Sequence, residues 1–475
     1  MMSKSRNAAK APAALALALL LGACSLTPVL EKPLPPVPAS FGTALASPAE
    51  AGTGADLGWK TMFGDPRLQS LIDLALKNNR DLRLALLNVH AVRAQFDIQD
   101  SARLPTLTAN AGVTRQRNPA GDGTPASVSS QKSAGLSISA FELDLFGRVA
   151  ALSEAAFARY VATDESRRAA QIALVGAVAD AYFAQRLADE QLQLTERTLA
   201  DWQRSLELAQ QLKSARQRSG LYVAEAEGQV ATAQADRESR LRAVALAGNA
   251  LDLLTGVHAP AGLPQGVALD KQPVLVQLPA GLPSDLLTRR PDVRQAEQGL
   301  RAANADIGAA KAAFFPQISL TASLGYASPS LSGMFDSGQR VWSFAPQITQ
   351  PLFNHGKLRS ELRLAEVRKS AAVVEYEKAV QTAFREVADG LAGRATFGRQ
   401  IEAQSRVVQS AERRLALSRL RYDAGQDSRL ELLDAQRLLY AAQQNLLELR
   451  RSEFGNAVAL YKALGGGLRS GPDGA

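Results

Sequence analysis

Two rhythms of apolar and polar residues divide this chain. Over 106–114, Leu107, Ala109, Ala111 and Val113 alternate with Thr108, Asn110 and Gly112, a period of two. Turn formers fill Asn118 to Ser130, and then the alternation returns, with Leu136, Ile138 and Ala140 set against Gly135, Ser137 and Ser139. The two runs predict strands over ~105–117 and ~132–145 joined by a long hairpin loop. A second pair is predicted over ~316–327 and ~340–351, where Ile318, Leu320, Ala322, Leu324 and Tyr326 oppose Gln317, Ser319, Thr321, Ser323 and Gly325.

Elsewhere the rhythm is helical. It begins near Leu68 and resumes from Asn79 through Arg103. No proline occurs between Pro125 and Pro260, nor between Pro351 and Pro472. Long helices are expected over ~148–213 and ~218–255, broken around Ser214 to Gly220 and capped by Gly256, and again over ~356–424 and ~428–464. The first of these would run about 100 Å at 1.5 Å per residue. In the last one Leu432, Leu439 and Leu446 recur every seven residues, as do Leu433, Tyr440 and Leu447. That period implies left-handed supercoiling, and two adjacent stripes suit a helix with neighbours on both sides.

The whole order occurs twice. Asp81, Arg83, Ala91, Ala94, Ala102, Pro105 and Ala111 meet Asp292, Arg294, Ala302, Ala305, Ala313, Pro316 and Ala322 at a constant offset of 211. Past the hairpins the offset settles at 209: Val178-Ala179-Asp180 meets Val387-Ala388-Asp389, and Ser219, Leu221 and Gly256 meet Ser428, Leu430 and Gly465. The expected layout is a leader over 1–23, a Pro-rich tether over 24–60, a first repeat over 61–256, a linker over 257–284, a second repeat over 285–465 and a flexible tail over 466–475.

Composition narrows the possibilities. Aromatics make up only 5 % of the chain and charged residues 21 %, a usage that suits long helices. The net charge of +8 shrinks if Lys4, Arg6 and Lys10 leave with the leader, and no basic patch interleaved with aromatics points to nucleic acid. The three histidines, His90, His258 and His355, have no neighbour at metal-ligand spacing, and no nucleophile elbow, phosphate loop or dinucleotide motif occurs. An enzyme is not expected, nor any cofactor. Lys4, Arg6 and Lys10 precede an apolar stretch, Ala11 to Leu21, that is too short to span a membrane as a helix. It ends in Leu21-Gly22-Ala23-Cys24, which resembles the bacterial lipoprotein box; that implies cleavage before Cys24, the only cysteine, and its acylation. Ser25 after it suggests delivery to the outer membrane. Several acyl chains anchor firmly, at about 0.8 kcal/mol per buried methylene.

Strands of about ten residues with one apolar and one polar face suit a wall between lipid and a wet lumen. Four strands cannot close a barrel, and an open edge in hydrocarbon leaves backbone groups without partners. Several copies must therefore share one cylinder; two, three or four would each close it.

Leu286-Leu287-Thr288-Arg289-Arg290-Pro291-Asp292-Val293-Arg294, with Ala313-Phe314-Phe315-Pro316 downstream, resembles a hallmark of the outer-membrane efflux factors of the TolC/OprM type, NodT-like lipoprotein branch. So do Phe141-Glu142-Leu143-Asp144-Leu145-Phe146-Gly147-Arg148, Leu432-Leu433-Asp434-Ala435-Gln436-Arg437 and Leu460-Tyr461-Lys462-Ala463-Leu464-Gly465-Gly466-Gly467. The resemblance implies an α+β membrane protein: a homotrimeric 12-stranded transmembrane β-barrel continued by a long periplasmic α-helical barrel. It implies a duct in a tripartite efflux system for small molecules, with a periplasmic adaptor and an inner-membrane pump of the resistance-nodulation-division (RND) type as partners. A duct for type I protein secretion is the alternative. Matched to the family motif, Leu430 and Asp434 face the axis at a periplasmic gate, with Arg437 in its polar network. Asp434 and Arg437 are three apart and can pair on one helix face. Spacing alone favours a solvated pair worth a few tenths of a kcal/mol; the motif match assigns the gate. The first repeat has Glu225 and Gly228 at the matching positions, so the moving gate is expected in the second hairpin, with Glu225 and Glu227 adding acidity at the entrance.

Overall fold

A computed structural model describes residues 25–38, 57–120, 125–278, 289–426 and 428–469. The leader, Cys24 and the Leu286-Leu287-Thr288 part of the family motif lie outside the described residues. The elements run α1 (Trp59–Met62), α2 (Pro66–Asn78), α3 (Arg80–Ser101), β1 (Leu107–Asn118), β2 (Ser127–Leu143), α4 (Arg148–Ser214) and α5 (Gly220–Thr255). The second repeat supplies α6 (Pro291–Ala312), β3 (Gln317–Ser328), β4 (Arg340–Thr349), α7 (Lys357–Asp423) and α8 (Arg429–Ala463). Local chemistry sets several ends. Asp65 caps α2 by accepting from the Arg67 amide at 2.8 Å, with Pro66 at the first helical position. Gly256 ends α5 at φ 69°, where an added Cβ would lie 2.6 Å from the Asn78 carbonyl oxygen. Among the described residues no helix is long and apolar enough to cross a membrane.

The chain forms two compact units, one of residues 1–34, 89–163 and 295–376, the other of 35–88, 164–294 and 377–475. The first unit holds an antiparallel sheet in the order β1-β2-β3-β4. Its registers align whole rows by chemistry. Leu107, Ile138, Ala322 and Phe344 stand side by side, as do Ala109, Leu136, Leu324 and Trp342; the adjoining row on the other face is Thr108, Ser137, Ser323 and Ser343. One face is apolar and one carries hydroxyls, and Ser323 and Ser343 share a hydrogen bond at 2.7 Å. Gly135 and Gly325 meet across β2 and β3 so closely that a Cβ on either would strike backbone within 3 Å. Both outer strands, β1 and β4, are exposed along their whole length and have no partner on one side.

Three expectations need correction in this unit and the next. First, β2 begins at Ser127, not near 132, because the Ser-rich stretch expected as loop pairs with 114–118. Val128 is the one apolar residue of 127–131, so no alternation marks it. Within β2 the alternation also changes phase. Ser139 and Ala140 together oppose Thr321, a β-bulge, with Ala140 at φ 49° and its amide donating to the Thr321 hydroxyl at 3.1 Å. The extra residue brings Phe141 and Leu143 onto the same face as Leu136 and Ile138 and takes Ala140 off it.

Second, the start of the tether is docked. Its early residues lie along α6: Lys32 pairs with Glu297 at 2.6 Å and Asn304 donates to the Pro28 carbonyl at 2.7 Å. At Gly308 a Cβ would fall 2.2 Å from the Thr27 hydroxyl oxygen, so glycine is what lets the strap lie close. Third, the tail is packed up to Arg469. In the second unit Gly465, Gly466 and Gly467 are buried, a Cβ on Gly466 would collide with the Tyr461 ring, and the Arg469 carbonyl accepts from the Trp59 amide at 2.9 Å. Trp59, Phe63, Leu68, Leu71 and Ile72 are buried, and the Phe63 ring meets the Tyr461 ring edge-on at 6.0 Å. The buried Asp65 carboxylate accepts from Tyr182 Oη at 2.5 Å, Gln272 Nε2 at 3.0 Å and the Val267 amide at 3.1 Å, which ties down the linker around 267–272. Burial first, then the Asp65 bond, pushes the Tyr182 phenol far above its ordinary range.

Candidate functional site

The residues matched to the gate gather where α8 begins. Ser428 caps that helix, accepting from the Glu431 amide at 3.4 Å. Leu430, Asp434 and Arg437 follow at spacings of four and three, so they lie on one face, and all three are exposed, whereas Leu433 and Ala435 point inward and are buried. An exposed leucine flanked by a carboxylate and a guanidinium is an unusual face for a coiled helix to show solvent.

Asp434 does not pair with Arg437. Its Oδ2 accepts from Arg414 Nη2 at 2.6 Å, and the same Arg414 reaches Glu431 at 3.6 Å. Arg437 has no ion pair among the described residues. The physical reason is the antiparallel hairpin: Arg414 of α7 lies about as far before the turn as Asp434 lies after it, so the two meet across the helices at full reach. The clamp joins α7 to α8 inside one hairpin. It does not join the two hairpins of the chain.

Other groups do that. Tyr222 of α5 and Tyr422 at the end of α7 share a hydroxyl–hydroxyl bond, and the Arg429 guanidinium stacks on the Tyr222 ring at 3.9 Å. Arg429 Nε and Nη2 are buried without hydrogen-bond partners, so the ring face is what compensates the charge. Burial and then the Tyr222 bond push the Tyr422 phenol up to about 12. Deeper along the helices, Tyr440 of α8 bonds Thr195 of α4 at 2.7 Å and donates to Asp236 of α5. Asp236 also faces Arg240 at 3.4 Å, Arg240 donates to Gln191 at 2.6 Å, and Gln191 donates to Glu448 at 3.2 Å. In the first hairpin Glu225 and Glu227 are exposed, as is Leu221, the counterpart of Leu430.

Sequence reading missed Arg414, the tyrosine pair and the Tyr440 network. A signal for Arg414 was present: residues equidistant from a helical turn face one another. The tyrosines carry no such signal, because their partners are some 200 residues away.

Among the described residues no group of His, Cys, Asp or Glu is arranged to hold a metal ion. The model of the outer membrane efflux proteins matches residues 71–257 and 282–466, the two repeats. The chain belongs to the outer membrane efflux protein family. This efflux protein is 47 % identical over 462 residues to the solvent efflux pump outer membrane protein SrpC of Pseudomonas putida, covering 94 % of this chain and 96 % of that one. It is 44 % identical to the outer membrane protein OprJ of Pseudomonas aeruginosa over 98 % of both chains. Among solved structures it resembles the open state of the Neisseria gonorrhoeae MtrE outer membrane channel, with TM-score 0.87 and 42 % identity over 94 % of this chain and 99 % of that one. The efflux protein resides in the outer membrane and belongs to a family of ducts.

Proposed function

We propose that this protein is the passive outer-membrane duct of a tripartite efflux system, fed by a periplasmic adaptor and an inner-membrane RND-type pump. The observation that carries the reading is the sheet: four strands, one apolar and one hydroxyl-bearing face, and two uncovered edges. Edges of this kind are not stable in hydrocarbon. Three copies would close twelve strands into one barrel, with the lipid against Trp342 and Phe344 and the hydroxyl row inside. The helices would continue the wall through the periplasm. Acylation of Cys24 would anchor each copy, beside a strap already docked on α6. Cargo is drawn from small organic compounds; relatives are named for solvent, toluene and antibiotic efflux.

In this reading Leu430 and Asp434 narrow the periplasmic end, Arg437 belongs to the same ring, and Glu225 and Glu227 make its approach acidic. Rings of carboxylates tune cation entry, and a ring of leucines resists wetting. The test is single-channel recording of the purified protein in planar bilayers. Replacing Asp434 and Arg437 together with Ala should raise conductance. Conductance equal to that of the parent removes the pair from the gate, and no conductance by either protein removes the duct.

A further inference from the structure

Charge on the sheet is sorted by face and by end. The four strands carry five charged residues, Arg115, Arg117, Lys132, Glu142 and Arg340. Glu142 lies at the helix end, where both signs occur and pair: Glu142 with Arg148, Asp100 with Arg103. The four cations lie at the hairpin end, and the registers put all of them on the apolar face. Ala111, Ala134, Tyr326 and Arg340 form one row of that face, and Val113, Lys132 and Ser328 form the next. Arg115 beside Ser130 and Arg117 beside Val128 follow. Apart from Glu142, the hydroxyl face holds no charge. Arg115, Arg117 and Arg340 are exposed and make no ion pair among the described residues. Asp336 is the one carboxylate in the described loops at this end.

The spacing sets the depth of these cations. From the row of Ile318 and Ile348 to the row of Tyr326 are four steps of two residues, about 27 Å along the strands. Tilted by about 40°, as barrel strands are, that band is about 20 Å thick, close to the roughly 25 Å apolar band of an outer-membrane barrel. Aromatic rings edge it at the hairpin end: Trp342 is 75 % exposed, and Tyr326 meets Phe335 edge-on at 5.4 Å. The cations begin where the rings end. Lys132 Nζ donates to the Pro329 carbonyl at 3.1 Å, so its charge sits at the rim while its stem covers the sheet.

We infer that Arg115, Arg117, Lys132 and Arg340 form a belt that binds the phosphate groups of anionic lipid in the outer leaflet. The inference rests on the duct proposed above, which turns the apolar face to lipid and the hairpin end outward, and it adds a lipid partner. A guanidinium offers two parallel N–H groups to two phosphate oxygens, and an ammonium adds a point charge. The apolar band directly below, with Leu324, Trp342 and Phe344, gives the acyl chains of the same molecule a surface. Free phosphate gains nothing from that band, so the combination selects a lipid. Cargo in the lumen would meet only the hydroxyl face, and the belt therefore fixes the height of the barrel in the membrane without acting on what passes through it.

The test titrates the full protein, purified in detergent, with lipid A, with dephosphorylated lipid A and with inorganic phosphate. Lipid A should bind about tenfold or more tighter than its dephosphorylated form, and the preference should vanish in about 1 M salt, where charges are screened beyond about 3 Å. Inorganic phosphate should not displace the lipid. Each cation beside an anionic surface counts about fivefold. Arg115→Gln, Arg117→Gln, Lys132→Gln and Arg340→Gln together should therefore abolish the preference while single-channel conductance stays that of the parent. Arg399→Gln with Arg406→Gln, on exposed cations of α7, should leave the preference intact. A fourfold variant that still prefers the phosphorylated lipid overturns the belt, and displacement by inorganic phosphate overturns the lipid as its partner. Where the fourfold variant fails to assemble, the parent alone decides: equal binding of the two lipids overturns the belt. A parent that conducts without the preference leaves the duct standing, whereas one that does not conduct removes the duct itself.

Discussion

The two helical hairpins of this chain share one design and are held together by different forces. The first is closed by side chains that exclude water: Leu199, Trp202, Val230 and Ala233 form one buried cluster, and Ala209, Tyr222, Val223 and Ala226 another. The second also buries Leu433 and Ala435 near its turn, and there Arg414 adds an ion clamp by reaching the half-exposed Asp434 and Glu431. Burial of a large apolar side chain contributes about 2 to 3 kcal/mol and is little affected by salt. An exposed ion pair contributes from nothing to about 1 kcal/mol and is screened. The ion clamp is therefore the part of the second tip's closure that is least expensive to open, which suits a gate located there.

The comparison can be broken from either side. The largest effect is expected at Trp202, which packs on Val230 and approaches Tyr440. Trp202→Ala should cost about 3 to 5 kcal/mol, lower the thermal melting point and expose the first hairpin to protease. A loss under about 1 kcal/mol would show that this hairpin is no more rigid than its partner. Next comes the tyrosine bond between hairpins. The folded protein holds the Tyr422 phenol neutral up to about 12, above its ordinary 10.0. Its stabilising bond is then complete below about pH 10 and is lost as pH rises toward about 12. Alkaline melting curves should fall across that window for the parent and stay flatter for Tyr422→Phe. The smallest change is expected for Arg414→Ala. It should lower stability by at most about 1 kcal/mol, and less in high salt, yet raise single-channel conductance. A loss comparable to Trp202→Ala would erase the distinction between the two closures.

Much of the architecture was legible because it depends on short-range periodicity. Proline-free tracts and capping glycines marked the four long helices, and alternation marked the strands wherever one face was apolar. It failed in 127–131, where Val128 is the one apolar residue, and it misread Ala140, since a bulge changes phase without leaving a compositional trace. The candidate site was half legible. Leu430, Asp434 and Arg437 do share an exposed face, as their spacing required, but the partner of Asp434 comes from the neighbouring helix.

Sequence alone determined the duplication, the helix and strand types and the two-faced sheet, all of which follow from side-chain periods of a few residues and a repeat offset held over more than a hundred positions. Tertiary structure alone decided where backbones approach. The strap could lie on α6 because position 308 lacks a Cβ, and the glycines of 465–467 could sink beside Tyr461 for the same reason.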